Sequence, residues 1–241
     1  MRSLLNLLGT GTINKCLSEP INSSLMSFKH PALWIISGAS QSGKSEFCCR
    51  LVKHADVVFN NRFDHIIWCY FSESAAPRDK LPSTVTFFQG IPDNFSDFPP
   101  NSLFIIDDCQ SQAAQSKSVL DLFTRGSHHD RQTVCLVVQN LFLDGKYFRT
   151  LALNTHVYVC FRSVRDKAQI AIFFRQITPS YWRELTRTFE AATSKQYSYF
   201  VCDLHPANED PKLRFRSQIV PDDPFQSLYC LPESESCWVR E

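Results

Sequence analysis

Glycine is scarce, with seven residues among 241. No internal repeat and no low-complexity tract is present, which excludes solenoid arrays and linker-like chains. No uninterrupted apolar run approaches the ~18 residues of a membrane span, so no membrane partner is expected. The start, Met1 to Gly9, carries a short apolar stretch. Asn6 and the following Gly-Thr-Gly-Thr interrupt it, so it does not read as a secretory leader. Charge of one sign is not in excess either: 25 basic residues stand against 24 acidic, so the global sum points to no polyanionic partner. The ten cysteines include no CxxC pair and no Cys/His grouping with zinc spacing. Cys69, Cys135, Cys160 and Cys202 lie inside apolar runs and read as buried free thiols. A reducing, intracellular setting, cytoplasm or nucleus, follows.

What is present is a regular alternation of elements. With 44% hydrophobic residues the chain can build one large α/β domain with a substantial core, or at most two small ones. Short runs apolar throughout read as buried strands: 33–37, 65–71, 85–88, 103–106, 134–138 and 156–161. Helical patterns occupy 44–54, 112–123, 166–176 and 180–192, the last with Ser180 as its expected cap after Pro179. Strands without polar alternation, separated by helices, predict a mostly parallel sheet covered by helices on both faces. The late pair, Tyr197–Cys202 and Leu213–Phe215, reads as an antiparallel edge hairpin. Residues 1–30 form an N-terminal arm, 31–220 the folded domain and 221–241 an acidic C-terminal tail. Charge is unevenly spread. Residues 146–187 hold eight basic and two acidic residues, whereas 56–110 hold eight acidic and three basic. These regions could face nucleic acid, or each other between subunits.

Residues 38–45, Gly38-Ala39-Ser40-Gln41-Ser42-Gly43-Lys44-Ser45, match GxxxxGK[ST] at every fixed position. Such a loop wraps a phosphate chain with backbone N–H groups, and glycine permits the close approach. Lys44 would meet the β- and γ-phosphates, and Ser45 would ligate Mg²⁺. The helix that follows, from Lys44 and Glu46 onward, points its positive end at the phosphates. ATP with Mg²⁺ is therefore the expected ligand. A second signal is Leu103-Phe104-Ile105-Ile106-Asp107-Asp108, a buried strand ending in two carboxylates. Asp107 is assigned to the metal and Asp108 to an attacking water. An acidic turn, or Asp108 as a helix cap, is the plain alternative. The strand 134–138 ends in Gln139-Asn140, where a side chain could contact the γ-phosphate or the water, or simply form a turn. Upstream lies Thr124-Arg125-Gly126-Ser127-His128-His129-Asp130-Arg131, a charged loop. An arginine here could reach a neighbouring subunit's nucleotide. The adjacent histidines are a weak metal signal.

The order of these features resembles the FtsK/HerA-type DNA-packaging ATPases of double-stranded DNA viruses and Maverick/Polinton elements, the poxvirus-type packaging ATPase among them. The resemblance covers about residues 31–216. The phosphate loop is generic. The order also includes Asp166-Lys-Ala-Gln-Ile170, but the combination of Gly126-Ser-His-His with Gln139-Asn140-Leu-Phe142 and the late Asp203-Leu204 strand is more specific. It implies a P-loop NTPase with an additional strand, the Gln139 strand lying between the phosphate-loop strand and the Asp107 strand. It also implies a homo-oligomeric ring, a pentamer or hexamer, with the site at the interface. Its partners would be double-stranded DNA and a capsid or portal-vertex protein, in the host cell or with the virion. Lys44 and Ser45 match the Walker A positions, Asp107 the metal acid and Gln139 the polar sensor. Arg125, then Arg131, are the candidates for a trans-acting arginine. Many relatives carry glutamate where Asp108 stands, one methylene longer.

Three functions fit these residues. One is an ATP-driven translocase packaging DNA, with the basic 146–187 region against the phosphates. Another is a small-molecule or nucleotide kinase on the same core, against which the paired acids and Gln139 argue for water as acceptor. The third is a nucleotide-gated interaction module with little turnover, which the shorter Asp108 keeps open.

Overall fold

The computed structural model describes residues 14–16, 27–165, 167–223 and 226–231, with the backbone alone at 14–16 and His128. Asp166, most of the predicted arm and the end of the predicted tail lie outside the described residues.

Among the described residues, ten strands form one sheet. In chain order they are β1 (Asn14–Cys16), β2 (Leu33–Ser37), β3 (His65–Tyr70), β4 (Val85–Gln89), β5 (Ser102–Ile106), β6 (Thr133–Val138), β7 (Val157–Phe161), β8 (Tyr199–Asp203), β9 (Phe215–Ser217) and β10 (Ser227–Cys230). Their spatial order is β1-β10-β9-β8-β7-β2-β6-β5-β3-β4. The six strands from β7 to β4 run parallel to one another. The remaining four join antiparallel. This is a P-loop NTPase sheet with an additional strand: β6 lies between β2 and β5, as expected.

The central strands are apolar at every position because both faces are covered. On β2, Trp34 and Ile36 join one core, and Leu33 and Ile35 join the other. On β5, Leu103 and Ile105 face the first core, Phe104 and Ile106 the second. The first core is closed by α1 (Lys44–Lys53) and α2 (Ala55–Val58) through Phe47, Leu51 and Val58. The second is closed by α3 (Gln110–Ala113), α4 (Lys117–Asp121), α6 (Phe148–Leu153), α7 (Lys167–Ile177) and α8 (Trp182–Ala192), chiefly through Val119, Phe148, Phe173, Phe174, Leu185 and Phe189, while the short α5 (Ser127–His129) leads toward β6. The eight cysteines whose side chains are described are free and buried, as small apolar side chains.

Three local expectations need correction. The pattern at 112–123 reads as one helix, but the chain breaks after Ala113. The Ala114 carbonyl accepts from Tyr147 N at 3.1 Å, and the Ser116 hydroxyl accepts from Val119 N at 3.3 Å, capping a new helix. The chain then passes through a π-helical turn, Leu122–Gly126, before α5. Ser180 does not cap α8; the cap position is Tyr181, without a side-chain bond. The β8–β9 pair is antiparallel but not at the edge, because β10 and β1 pair beyond it. Those two strands lie within the segments read as arm and tail.

Candidate nucleotide site

The site is built where β2, β5 and β6 end together. β2 delivers the chain to Gly38, whose N–H donates to the Val138 carbonyl at the end of β6, 3.2 Å away. The loop then turns back into α1 through Gly43 at φ 100, a left-handed conformation that L side chains avoid. Gly38 has a different reason. A Cβ there would lie 2.6 Å from Phe161 Cβ and 2.8 Å from Ser42 Oγ. Gln41 is also left-handed, at φ 62. Ala39, Ser40 and Gln41 are exposed along the outer turn. The Ser42 hydroxyl is buried without a hydrogen-bond partner. An anion with several acceptor oxygens fits such a donor.

Lys44 is the first residue of α1 and only 9% exposed. Its ammonium donates to the carbonyls of Gly38 at 2.6 Å and Ala39 at 2.8 Å, which holds it over the loop. Burial lowers its pKa, and the charge of Asp107 opposes the shift. Asp107, 6% exposed, follows β5. Burial raises its pKa, opposed by a hydrogen bond from the Ser45 side chain, the Asp108 amide and the Lys44 charge. The Asp108 N–H donates to Asp107 Oδ1 at 3.0 Å. One buried carboxylate, one hydroxyl and one ammonium therefore converge at the helix N-terminus. That donor set suits Mg²⁺, which takes one or two carboxylates together with substrate phosphates. It does not suit a metal held by protein alone. Among the described residues, no three His, Cys, Asp or Glu side chains gather to hold one.

Asp108 is exposed and left-handed at φ 58. Gln139 follows β6, beside the phosphate loop. Its N–H donates to the Gln110 side-chain oxygen at 2.7 Å. Gln110 opens α3 just after the paired acids, so it ties the Asp107 strand end to the Gln139 strand end. Sequence reasoning passed over Gln110, because a glutamine opening a helix carries no signal of its own. Glu46 points its carboxylate at Lys80, 2.9 Å away on the surface.

Arg125 and Arg131 lie elsewhere. Gln132 N bonds the Ser127 carbonyl and Asn101 N bonds the Asp130 carbonyl. Their segment thus leads into the starts of β5 and β6, the opposite edge of the sheet from the phosphate loop. β6 spans that separation with six residues, about 20 Å. Arg125 pairs with Asp121 at 2.7 Å, with 72% of its side chain exposed. Arg131 is exposed and left-handed, at φ 50. Neither is assembled with Lys44 and Asp107 inside one chain. In the basic region, Arg162 donates to the Ser194 carbonyl at 3.2 Å and Lys167 pairs with Glu190 at 3.1 Å. Arg175 and Arg183 lie 4.5 and 4.8 Å from the Trp182 ring.

No protein-family model and no curated protein matches this chain. Among solved structures it is similar to the genome packaging NTPase B204 from Sulfolobus turreted icosahedral virus 2 in complex with ATP-gammaS. That likeness has 16% identity and a TM-score of 0.46, and covers 72% of this chain and 92% of that one. The same NTPase in complex with sulfate gives 15% identity and 0.46, over 72% and 91%. The Legionella pneumophila ATPase DotB gives 14% identity and 0.35, over 76% of this chain and 58% of that one. The P-loop fold rests on this chain's own sheet order and loop geometry. Among the described residues, no helix is long and apolar enough to cross a membrane.

Proposed function

We propose that this chain is an ATP-hydrolysing translocase that drives double-stranded DNA of a virus or virus-like element into a capsid. The observation that carries the nucleotide half of this reading is the convergence of Lys44, Ser45 and Asp107 at one strand edge, with the Gln139 strand inserted between β2 and β5. The packaging half rests on the sequence resemblance.

In this reading the loop amides and the Ser42 hydroxyl bind the phosphate chain. Lys44 turns its ammonium from the loop carbonyls to the β- and γ-phosphates. Ser45 and Asp107 would hold Mg²⁺, which when bound would neutralise charge on the phosphate oxygens. Burial that raises the Asp107 pKa makes the carboxylate a strong ligand once the cation is present. Gln139 and Asp108, at neighbouring strand ends, orient and deprotonate the attacking water. Arg125, or Arg131, serves the site of the next subunit in a ring of five or six. Its exposure at the far edge of the sheet suits a role between chains. Arg175, Arg183 and their neighbours on α7 and α8 contact DNA phosphates. A capsid or portal-vertex protein completes the machine.

Phosphate release from ATP tests the reading, measured with and without double-stranded DNA beside Lys44→Ala. Turnover that rises with DNA and vanishes in the variant is expected. Tight ATP binding with turnover indifferent to DNA would replace it with a nucleotide-gated module. ATP consumed only with an added acceptor would replace it with a kinase.

A further inference from the structure

Resting on the nucleotide reading above, we propose that the Tyr197 ring is the platform on which the base of the bound nucleoside triphosphate stacks. β2 is flanked by β6 on one side, with β5 next, and by β7 on the other, with β8 next. Asp107 and Gln139 occupy the β5–β6 side. The terminal phosphate and the metal therefore belong there, and the nucleoside leaves the loop toward β7 and β8.

Tyr197 stands on that side. It is two residues before Tyr199, which pairs with Phe161 at the end of β7. The segment from Thr193 to Ser198 thus crosses the same sheet edge as the phosphate loop. The Tyr197 ring touches the loop: its Cδ1 lies 3.1 Å from where a Cβ on Gly43 would be. Yet Tyr197 is 60% exposed, among the few large hydrophobic side chains left in solvent. Phe71, another, follows β3 and lies beside Asp108 on the opposite side of the site.

The platform is also held in place. Tyr197 has φ 64, a left-handed conformation unfavourable for a tyrosine. Arg162, just after β7, donates to the Ser194 carbonyl at 3.2 Å, and the Ser198 hydroxyl bonds the Lys195 carbonyl. A strained, tethered backbone that presents an aromatic face to solvent beside a phosphate loop is pre-organised for a flat partner. A ring brace for Gly43 alone would need no exposed face. Stacking accepts any base because every base has a π-face, and it favours the larger purines. The ring holds ATP and GTP alike and does not choose between them.

The test measures equilibrium binding of ATP, CTP and inorganic triphosphate to the full chain, as wild type, Tyr197→Ala, Tyr197→Leu and Tyr197→Phe. Alanine keeps the same backbone requirement at φ 64, leucine keeps bulk without a π-face, and phenylalanine keeps the face. Wild type is expected to bind ATP more tightly than CTP or triphosphate. Alanine and leucine should weaken ATP about 5- to 100-fold with triphosphate affinity unchanged, and phenylalanine should match wild type. Equal loss of ATP and triphosphate in the alanine variant would mean the ring only braces the loop, which overturns the proposal. So would wild-type protein that binds ATP and triphosphate equally, although the phosphate site would then stand. Wild type that binds neither would overturn the nucleotide reading itself.

Discussion

His30 shows how a single side chain can set a pH response away from the nucleotide site. Its Nδ1 lies 2.8 Å from the Thr133 hydroxyl, at the start of β6, and its ring packs edge-on against Phe63. Burial, with the nearby Arg131 charge, lowers its pKa from 6.5 to about 4. The folded value is below the unfolded one, so the neutral ring belongs to the folded state. Its contribution is present in full above pH 6.5 and is lost as the pH falls toward 4. His30→Asn keeps an atom near Thr133 but cannot titrate. The melting temperature of the wild type should therefore fall more steeply between pH 6.5 and 4.5 than that of the variant. At Gly43 the constraint is steric. Gly43→Ala places a Cβ at φ 100 and 3.1 Å from Tyr197, at a cost of about 1–3 kcal/mol. A lower melting temperature and ATP affinity reduced at least tenfold are expected, measured by thermal unfolding and equilibrium binding.

Among the elements, β8 and β9 are joined by more than backbone pairing. Arg216 on β9 and Asp203 on β8 form an ion pair at 2.5 Å with side-chain exposures of 2% and 4%. The guanidinium also stacks over Phe28, 3.8 Å from the ring centre. Burial lowers the Arg216 pKa to about 10, against the pull of Asp203. Breaking such a pair leaves a buried charge uncompensated, so Arg216→Ala should lose about 3–5 kcal/mol in urea unfolding. Asp203→Leu with Arg216→Met should recover much of it. None of this pairing was legible in the sequence, because nothing in Asp203 or Arg216 announces the other. Legibility follows burial. The strands β2, β5, β6 and β7 are covered on both faces, so their runs of Ile, Val, Leu and Phe read directly as strands. The insertion of β6 between β2 and β5 came from the resemblance, and the sheet order agrees. The break after Ala113 was hidden because Val119, Leu122 and Phe123 continue an apolar face across it. β1 and β10 are three and four residues long, too short to show a period. The fixed residues of the phosphate loop and the acidic strand end were readable, since their chemistry dictates residue type. The positions of Gln110 and Tyr197 beside the loop were not, since only the sheet brings them there.

At the scale of the molecule, the distance between Arg125 and the phosphate loop makes cooperation between chains measurable. If Arg125 serves a neighbour, a ring that mixes Arg125→Ala with Lys44→Ala subunits contains sites that pair an intact loop with an intact arginine. Phosphate release should then exceed that of either variant alone, where mixed rings are verified by mass. No gain would remove Arg125 from a trans role and leave Arg131 to be tested the same way. The outer sheet has a consequence of a different kind. β9 would be a border strand but for β10 and β1, whose backbones zip antiparallel beyond it. Arg50 on α1 fastens the approach to β10 through Asp222 and Asp223, at 2.8 and 2.6 Å. A chain trimmed to residues 31–220, the span that sequence alone marks as the domain, would lose both strands and the acidic clasp. It would uncover a row of unsatisfied amides and carbonyls along β9, which is a template for recruiting strands from other molecules. Trimming for tractability would thus yield a stickier protein, so the short terminal strands serve as hems that keep the sheet from growing sideways.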